Sequence, residues 1–174
     1  MNILLVNPRA EGYTRSITLP LGLLSIASYL SAHGHTVRLF DHAVESVSPD
    51  VLSSSFAADI VGVSLISYKA LDDAIAVSEY YKKAGLPVIW GGPLASELPA
   101  VVLKHKCVDA ISVGEGEETW LALADACAAG VPDLSSIPGL ALRDAAGNVF
   151  LTPPRDFLDL AALPETDWSC IDVE

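Results

Sequence analysis

Basic residues are scarce in this 174-residue chain. Ten Lys and Arg stand against 22 Asp and Glu, a formal net charge of -12. A nucleic-acid surface needs clustered cations on the phosphates, so this balance excludes one. Long apolar runs are missing too. None reaches the roughly 20 residues that a membrane helix requires, and no membrane partner is expected. Met1-Asn2-Ile3-Leu4 leads straight into an apolar segment with no basic region ahead of it, so no secretory signal is expected. Cysteines number three, at positions 107, 127 and 170. An odd, widely spaced set forms neither a disulfide framework nor a metal-ligand pattern, which fits a reducing cytoplasm. A glycine-rich dinucleotide turn is also absent. The loop after the first apolar run, Asn7-Pro8-Arg9-Ala10-Glu11-Gly12, holds one glycine and continues to Pro20 before any helical pattern starts. NAD and FAD binding thereby lose their best signal, the sharp G-x-G-x-x-G entry into a helix.

What is present is an alternation. Five apolar runs, at residues 3–6, 37–40, 60–64, 88–90 and 110–113, are separated by segments of helical period. That is the pattern of βαβ units and a parallel sheet. The runs are continuously apolar, as strands covered on both faces are. The helical segments are read at 20–33, with Leu23, Ile26, Ala27 and Leu30 inward; after a Ser48-Pro49-Asp50 N-cap; through Leu71, Ala74, Ile75 and Ser78; around 99–104; and from Glu117, with Trp120, Leu123, Ala124 and Cys127 inward. Length suits one domain with a small appendage. After Gly130 the pattern changes. Residues 140–143 and 149–152 flank Asp144-Ala145-Ala146-Gly147-Asn148 as a β-hairpin, and from Pro153 the chain reads as an extended connection. The expected organisation is an α/β domain over 1–136, a hairpin appendage over 137–152 and a linker over 153–174.

Chemistry-bearing residues gather at the strand ends, where open parallel sheets bind ligands. Ser64-Leu65-Ile66-Ser67-Tyr68 ends the third run, Gly91-Gly92-Pro93 the fourth, and Gly114-Glu115-Gly116-Glu117 the fifth. The serines alone read more readily as local caps, and the glycines equally as a tight turn. Acidic residues suit the first turn of a helix and repel phosphate, which weakens a nucleotide reading. Asp41 reads as a solvated strand end. His33 and His35 flank Gly34 at a helix end, where a cation is favourable. His42 is the one histidine placed at a carboxyl edge. No serine, cysteine or lysine lies in a nucleophile motif, so no catalytic residue and no metal ligand is assigned. These residues describe a ligand-binding domain. A cofactor-free regulatory or interaction module and a flavin or nucleotide domain are the alternatives.

Leu4-Leu5-Val6-Asn7-Pro8, Pro20-Leu21-Gly22-Leu23, Val61-Gly62-Val63-Ser64, Gly91-Gly92-Pro93, Gly114-Glu115-Gly116-Glu117, Ile137-Pro138-Gly139-Leu140 and Leu163-Pro164 follow one another along the chain. As an ordered set they resemble the cobalamin-binding domain that precedes the radical SAM barrel in cobalamin-dependent radical SAM enzymes. That group includes methyltransferases and the anaerobic magnesium-protoporphyrin monomethyl ester cyclase. The resemblance implies a flavodoxin-like (Rossmann-like) fold, with parallel strands ordered 2-1-3-4-5 and helices on both faces. It implies cobalamin held by Asn7, Pro8, Arg9, Gly12, Ser64, Leu65, Ser67, Tyr68, Gly91, Gly92, Pro93, Gly114, Glu115 and Gly116. It also implies a barrel in the same polypeptide, with an iron-sulfur cluster and S-adenosylmethionine. The barrel's CxxxCxxC is absent from these 174 residues. The wider superfamily carries D-x-H-x-x-G after its first strand, and here that motif aligns as Asn7-x-Arg9-x-x-Gly12. Arginine donates no lone pair to a metal. The resemblance therefore implies cobalamin bound base-off and without an axial histidine, with His42 too distant to substitute.

Overall fold

The computed structural model describes residues 1–12, 19–130 and 133–171. The stretch after Gly12 that the sequence reads as loop falls outside them as far as residue 18. Five parallel strands form as the apolar runs predict: β1 (Asn2–Asn7), β2 (Thr36–Asp41), β3 (Ile60–Ser64), β4 (Val88–Gly91) and β5 (Ala110–Ser112). Their order is β2-β1-β3-β4-β5. Alternate residues of each strand enter two separate cores, as the pleat requires. Leu4, Val6, Val61, Val63, Val88, Trp90 and Ile111 pack on one face. Ile3, Leu5, Ile60, Ile89 and Ala110 pack on the other.

Helices α1 (Leu21–Ala32), α2 (Pro49–Ser55), α3 (Leu71–Lys83), α4 (Pro93–Glu97), α5 (Pro99–Val102) and α6 (Glu117–Ala128) complete the layers. α1 and α6 lie side by side over the second core. α3 covers the first with Ala74, Val77, Ser78 and Tyr81 buried. Trp90 is fully enclosed there, and its indole N–H donates to Ser78 Oγ at 2.8 Å. The sequence places one short helix around 99–104. The structure has two, because Pro93 also takes the first-turn position that suits its missing N–H. Ser48 precedes α2 in extended backbone without a side-chain cap bond.

Two corrections concern the sheet and its edge. The hairpin is expected at one sheet edge and lies there, but it extends the five-stranded sheet instead of standing apart from it. β6 (Leu140–Arg143) pairs antiparallel with β5, and β7 (Val149–Leu151) pairs with β6, giving one mixed seven-stranded sheet. β5 would otherwise present an open ladder. Arg143 fixes the join by donating to the carbonyls of Leu103, His105 and Val108. Asp41 is not solvated. It is 3% exposed, and its carboxylate accepts from Asn7 Nδ2 and from the Ala43 amide, both at 3.0 Å. His35 also departs from expectation. Its side chain is 7% exposed, and burial lowers its pKa below the ordinary 6.5, so the cation is disfavoured there.

The C-terminal segment packs along the outside of the two helices. Arg155 donates to Thr119 Oγ1 and to Glu118, and the Leu158 amide to Glu115. The Asp167 amide donates to Ser28 Oγ at 2.8 Å, and Cys170 and Ile171 are buried in the second core beside α1. No helix among the described residues is long and apolar enough to cross a membrane.

Candidate functional site

The last residues of β3, β4 and β5 on the α1/α6 face are Ser64, Gly91 and Ser112. Ser64 pairs with Gly91 in the ladder, and Trp90 pairs with Ile111, which sets Gly91 beside Ser112. The result is a hydroxyl, a bare glycine and a second hydroxyl in a row at the carboxyl edge. Beneath the row lies Gly62, where a Cβ would stand 2.6 Å from the Trp120 ring. Only glycine lets Trp120 press against the sheet at that point. Gly92 follows with φ +91°, and a Cβ on it would come within 3.0 Å of the Leu65 carbonyl and 3.1 Å of Ser64 Oγ.

Facing this row across a gap are Gly22 and Ile26 of α1 with Gly116, Glu117 and Trp120 around the start of α6. The helices are clasped to each other. Ser25 Oγ donates to Glu117 Oε1 at 2.6 Å, and a Cβ on Gly116 would stand 2.6 Å from Ile26 Cδ1. Between sheet and helices opens a slot of about 630 Å³. Its hydroxyls are not alike. Ser96 Oγ takes the Gly114 amide. The Ser64 hydroxyl makes no hydrogen bond among the described residues. Ser112 is 2% exposed, and its Oγ has no partner either. Buried hydroxyls are nearly always paired, so an unpaired one lining a cavity is an unfilled bonding position. Glu97, Glu115 and Glu117 make the mouth acidic. That disfavours a polyphosphate and suits a ligand carrying little negative charge.

The slot gathers Ser64, Gly91, Gly92, Pro93, Gly114, Glu115 and Gly116 from the residues proposed from sequence. The other seven lie elsewhere. Leu65 is buried in the core on the α3 face. Ser67 caps a 3₁₀ turn, Tyr68–Ala70, accepting from the Lys69 amide, and Tyr68 is exposed. Asn7 holds Asp41, Pro8 is buried, and Gly12 and Arg9 are exposed. The Arg9 amide donates to Asp73 Oδ2 and the Glu11 amide to the Lys69 carbonyl, so the loop after β1 rests on that 3₁₀ turn. Together these residues form a second zone of the carboxyl edge, beside the slot. His42 belongs to it as well. Its Nδ1 lies 2.8 Å from the same Asp73 Oδ2 that takes the Arg9 amide. His42 and the Arg9 backbone therefore share one carboxylate, because β1 and β2 end in register at Asn7 and Asp41.

Ser112 was missed from sequence, as were the slot roles of Gly22, Ile26 and Trp120. The available signal was position, since Ser112 ends β5 as Ser64 ends β3.

Comparison with known families bears directly on this slot. The B12 binding domain family matches residues 13–124. The chain belongs to that family. The chain is 32% identical over 168 residues to an uncharacterized methyltransferase of Pyrococcus horikoshii, covering 91% of the chain and 36% of the relative. It is 27% identical over 177 residues to the cytidylyl-2-hydroxyethylphosphonate methyltransferase of Streptomyces wedmorensis, covering 87% and 33%. The domain thus spans about a third of the length of these curated relatives. Its fold is similar to the radical S-adenosylmethionine methyltransferase TsrM of Kitasatospora setae with cobalamin and a [4Fe-4S] cluster bound. There the TM-score is 0.76 at 21% identity, over 94% of this domain and 30% of that chain. It is also similar to the cobalamin-dependent S-adenosylmethionine radical enzyme OxsB with aqua-cobalamin and S-adenosylmethionine bound, with a TM-score of 0.73 at 19% identity, over 90% and 22%. The residues present fit the cofactor that the family implies. The sheet wall of the slot is made of the small residues Gly62, Ser64, Gly91 and Ser112, and the Ser112 hydroxyl has no partner among the described residues.

Proposed function

We propose that this domain holds cobalamin for a radical SAM enzyme, a methyltransferase or a cyclase-like enzyme, whose barrel carries an iron-sulfur cluster and S-adenosylmethionine in the same polypeptide. The Ser64 hydroxyl beside Gly91, on the sheet wall of a slot closed by α1 and α6, carries this reading. The cofactor's nucleotide tail fits such a slot, with Ser64 donating to a ring nitrogen of the tail base and Gly91 lying flat against it. Gly92 and Pro93 turn the chain away above it. Asn7, Pro8, Arg9, Gly12, Ser67 and Tyr68 provide the platform beneath the corrin ring, with Leu65 supporting it from the core. Gly114, Glu115 and Gly116 form the outer rim.

When bound, cobalamin supplies a cobalt centre able to carry a methyl group. The domain's own part is to keep the tail base away from that centre, which makes the bound form base-off. Arg9 stands where the superfamily places its histidine and offers only donors, so it bonds water or a corrin amide and not the metal. The methyltransferase names of both curated relatives favour the methyl-transfer version. Three free cysteines fit a reducing cytoplasm.

Titration with hydroxocobalamin tests the proposal. The expected result is saturable one-to-one retention through gel filtration, with a shifted corrin absorbance. A folded domain that retains no corrinoid would refute it.

A further inference from the structure

The reading of the slot as a tail site leaves one group without a task. Ser64 alone accounts for a hydrogen bond to the ring nitrogen of a benzimidazole. Ser112, on the opposite side of Gly91, is nine-tenths buried, lines the same slot and has no partner for its hydroxyl. A Cβ on Gly91 would stand 3.8 Å from Ser112 Cβ, so nothing separates the glycine surface from the serine. The neighbouring polar groups are already engaged. Ser96 Oγ holds the Gly114 amide, Glu117 the Ser25 hydroxyl and Glu115 the Leu158 amide.

The spacing defines what can bridge the row. Ser64 and Ser112 are two strand spacings apart, about 9.6 Å. A hydrogen bond of about 2.8 Å at each end leaves about 4 Å between the two polar atoms of the ligand. That is the scale of a fused two-ring heterocycle with hydrogen-bonding atoms on opposite edges. Dimethylbenzimidazole has such an atom on one edge and two methyl groups on the other. A purine has them on both. A buried polar group discriminates sharply against a ligand that leaves it unpaired.

We propose that Ser112 selects the tail base of the corrinoid, favouring a purine-tailed cobamide over the dimethylbenzimidazole-tailed one. This rests on the reading of the slot as the tail site. The direct test is equilibrium titration of the domain and of Ser112→Ala with two probes, adeninylcobamide and hydroxocobalamin, followed by corrin absorbance. The domain should bind the adeninyl form at least fivefold more tightly. Ser112→Ala should lose that preference by weakening adeninyl binding alone, with hydroxocobalamin binding unchanged or tighter. Its melting temperature should not fall, because the deleted hydroxyl has no partner among the described residues. A parallel loss for both corrinoids, or no change for either, would overturn the assignment while leaving cobalamin binding intact. Failure of the parent domain to bind either probe would overturn both readings.

Discussion

Replacing Gly91 with leucine tests the slot without touching the fold. A Cβ at this position meets nothing closer than the Ser112 carbonyl at 3.6 Å, an ordinary contact, and Gly91 is not among the glycines with positive φ. The backbone therefore accepts a side chain, and the position of Gly91 in the row turns that side chain toward the slot. A tail base displaced from there loses a hydrogen bond, about 1 kcal/mol. It also loses burial of one ring face, on the order of 50 Å² and hence about 1 kcal/mol more. A sum near 2 kcal/mol is roughly a thirtyfold weaker Kd, and tenfold is a safe lower bound. The assay is hydroxocobalamin titration beside thermal unfolding of the same sample. Gly91→Leu should melt within about 2 °C of the parent, since a change well under 1 kcal/mol moves a domain of this size by no more. Gly92 is the poorer target. Its φ of +91° and the 3.0 Å approach to the Leu65 carbonyl would make any side chain disturb the turn itself. A left-handed residue with a Cβ costs about 1–2 kcal/mol of stability, so a binding loss there would be ambiguous. Gly91→Leu that melts like the parent and binds with the parent's affinity would refute the placement of the tail.

Glu117→Gln should lower stability by under about 1 kcal/mol, because the first turn of α6 loses a charge that favours its dipole and a charged partner for Ser25. Corrin binding should hold, and a large binding loss without a stability loss would show that Glu117 acts on the ligand. Electron paramagnetic resonance of the cob(II)alamin form should show no nitrogen superhyperfine splitting from an axial ligand. Splitting that vanishes in His42→Ala would instead make the imidazole held by Asp73 the cobalt ligand. His35 should give the fold an acid-sensitive step. Burial lowers its folded pKa, and Asp125 at 3.6 Å offsets only part of that. Its contribution is therefore complete above the unfolded value near 6.5 and is lost as pH falls from there toward the lower folded value. Melting temperature between pH 7.5 and 5.5 should drop less in His35→Gln than in the parent, and equal drops would contradict this.

The five parallel strands were legible because burial on both faces writes itself as uninterrupted Val, Ile and Leu. The edge position of the hairpin was legible too, but not its continuation of the ladder from β5. Leu140-Ala141-Leu142-Arg143 looks the same whether it pairs only with its own return strand or also with β5. The guanidinium contacts that settle the matter reach back across the sequence to residues 103–108. Asp41 was misread for the same reason, since its first partner, Asn7, lies 34 residues away. At the site, Gly91-Gly92 announced itself because a glycine pair closing an apolar run permits a close backbone approach. Ser112 did not, because a serine in Ala-Ile-Ser-Val declares neither its burial nor its want of a partner. Arg9 and His42 were separately visible, but their common carboxylate comes from α3 and has no local signature.

The C-terminal segment acts as a belt. From β7 it crosses the start of α6, where Arg155 and Leu158 are fastened to Glu118, Thr119 and Glu115. It then reaches α1, where Asp167 is fastened to Ser28 and Cys170 is buried. Those two helices are the outer wall of the slot, and the belt is buckled at Cys170 and Ile171. Slackening the belt frees that wall from the outside without disturbing the sheet. The wall that would enclose a molecule lodged in the slot is thereby braced from outside by the 3₁₀ turn Trp168–Cys170, on the far side of α1.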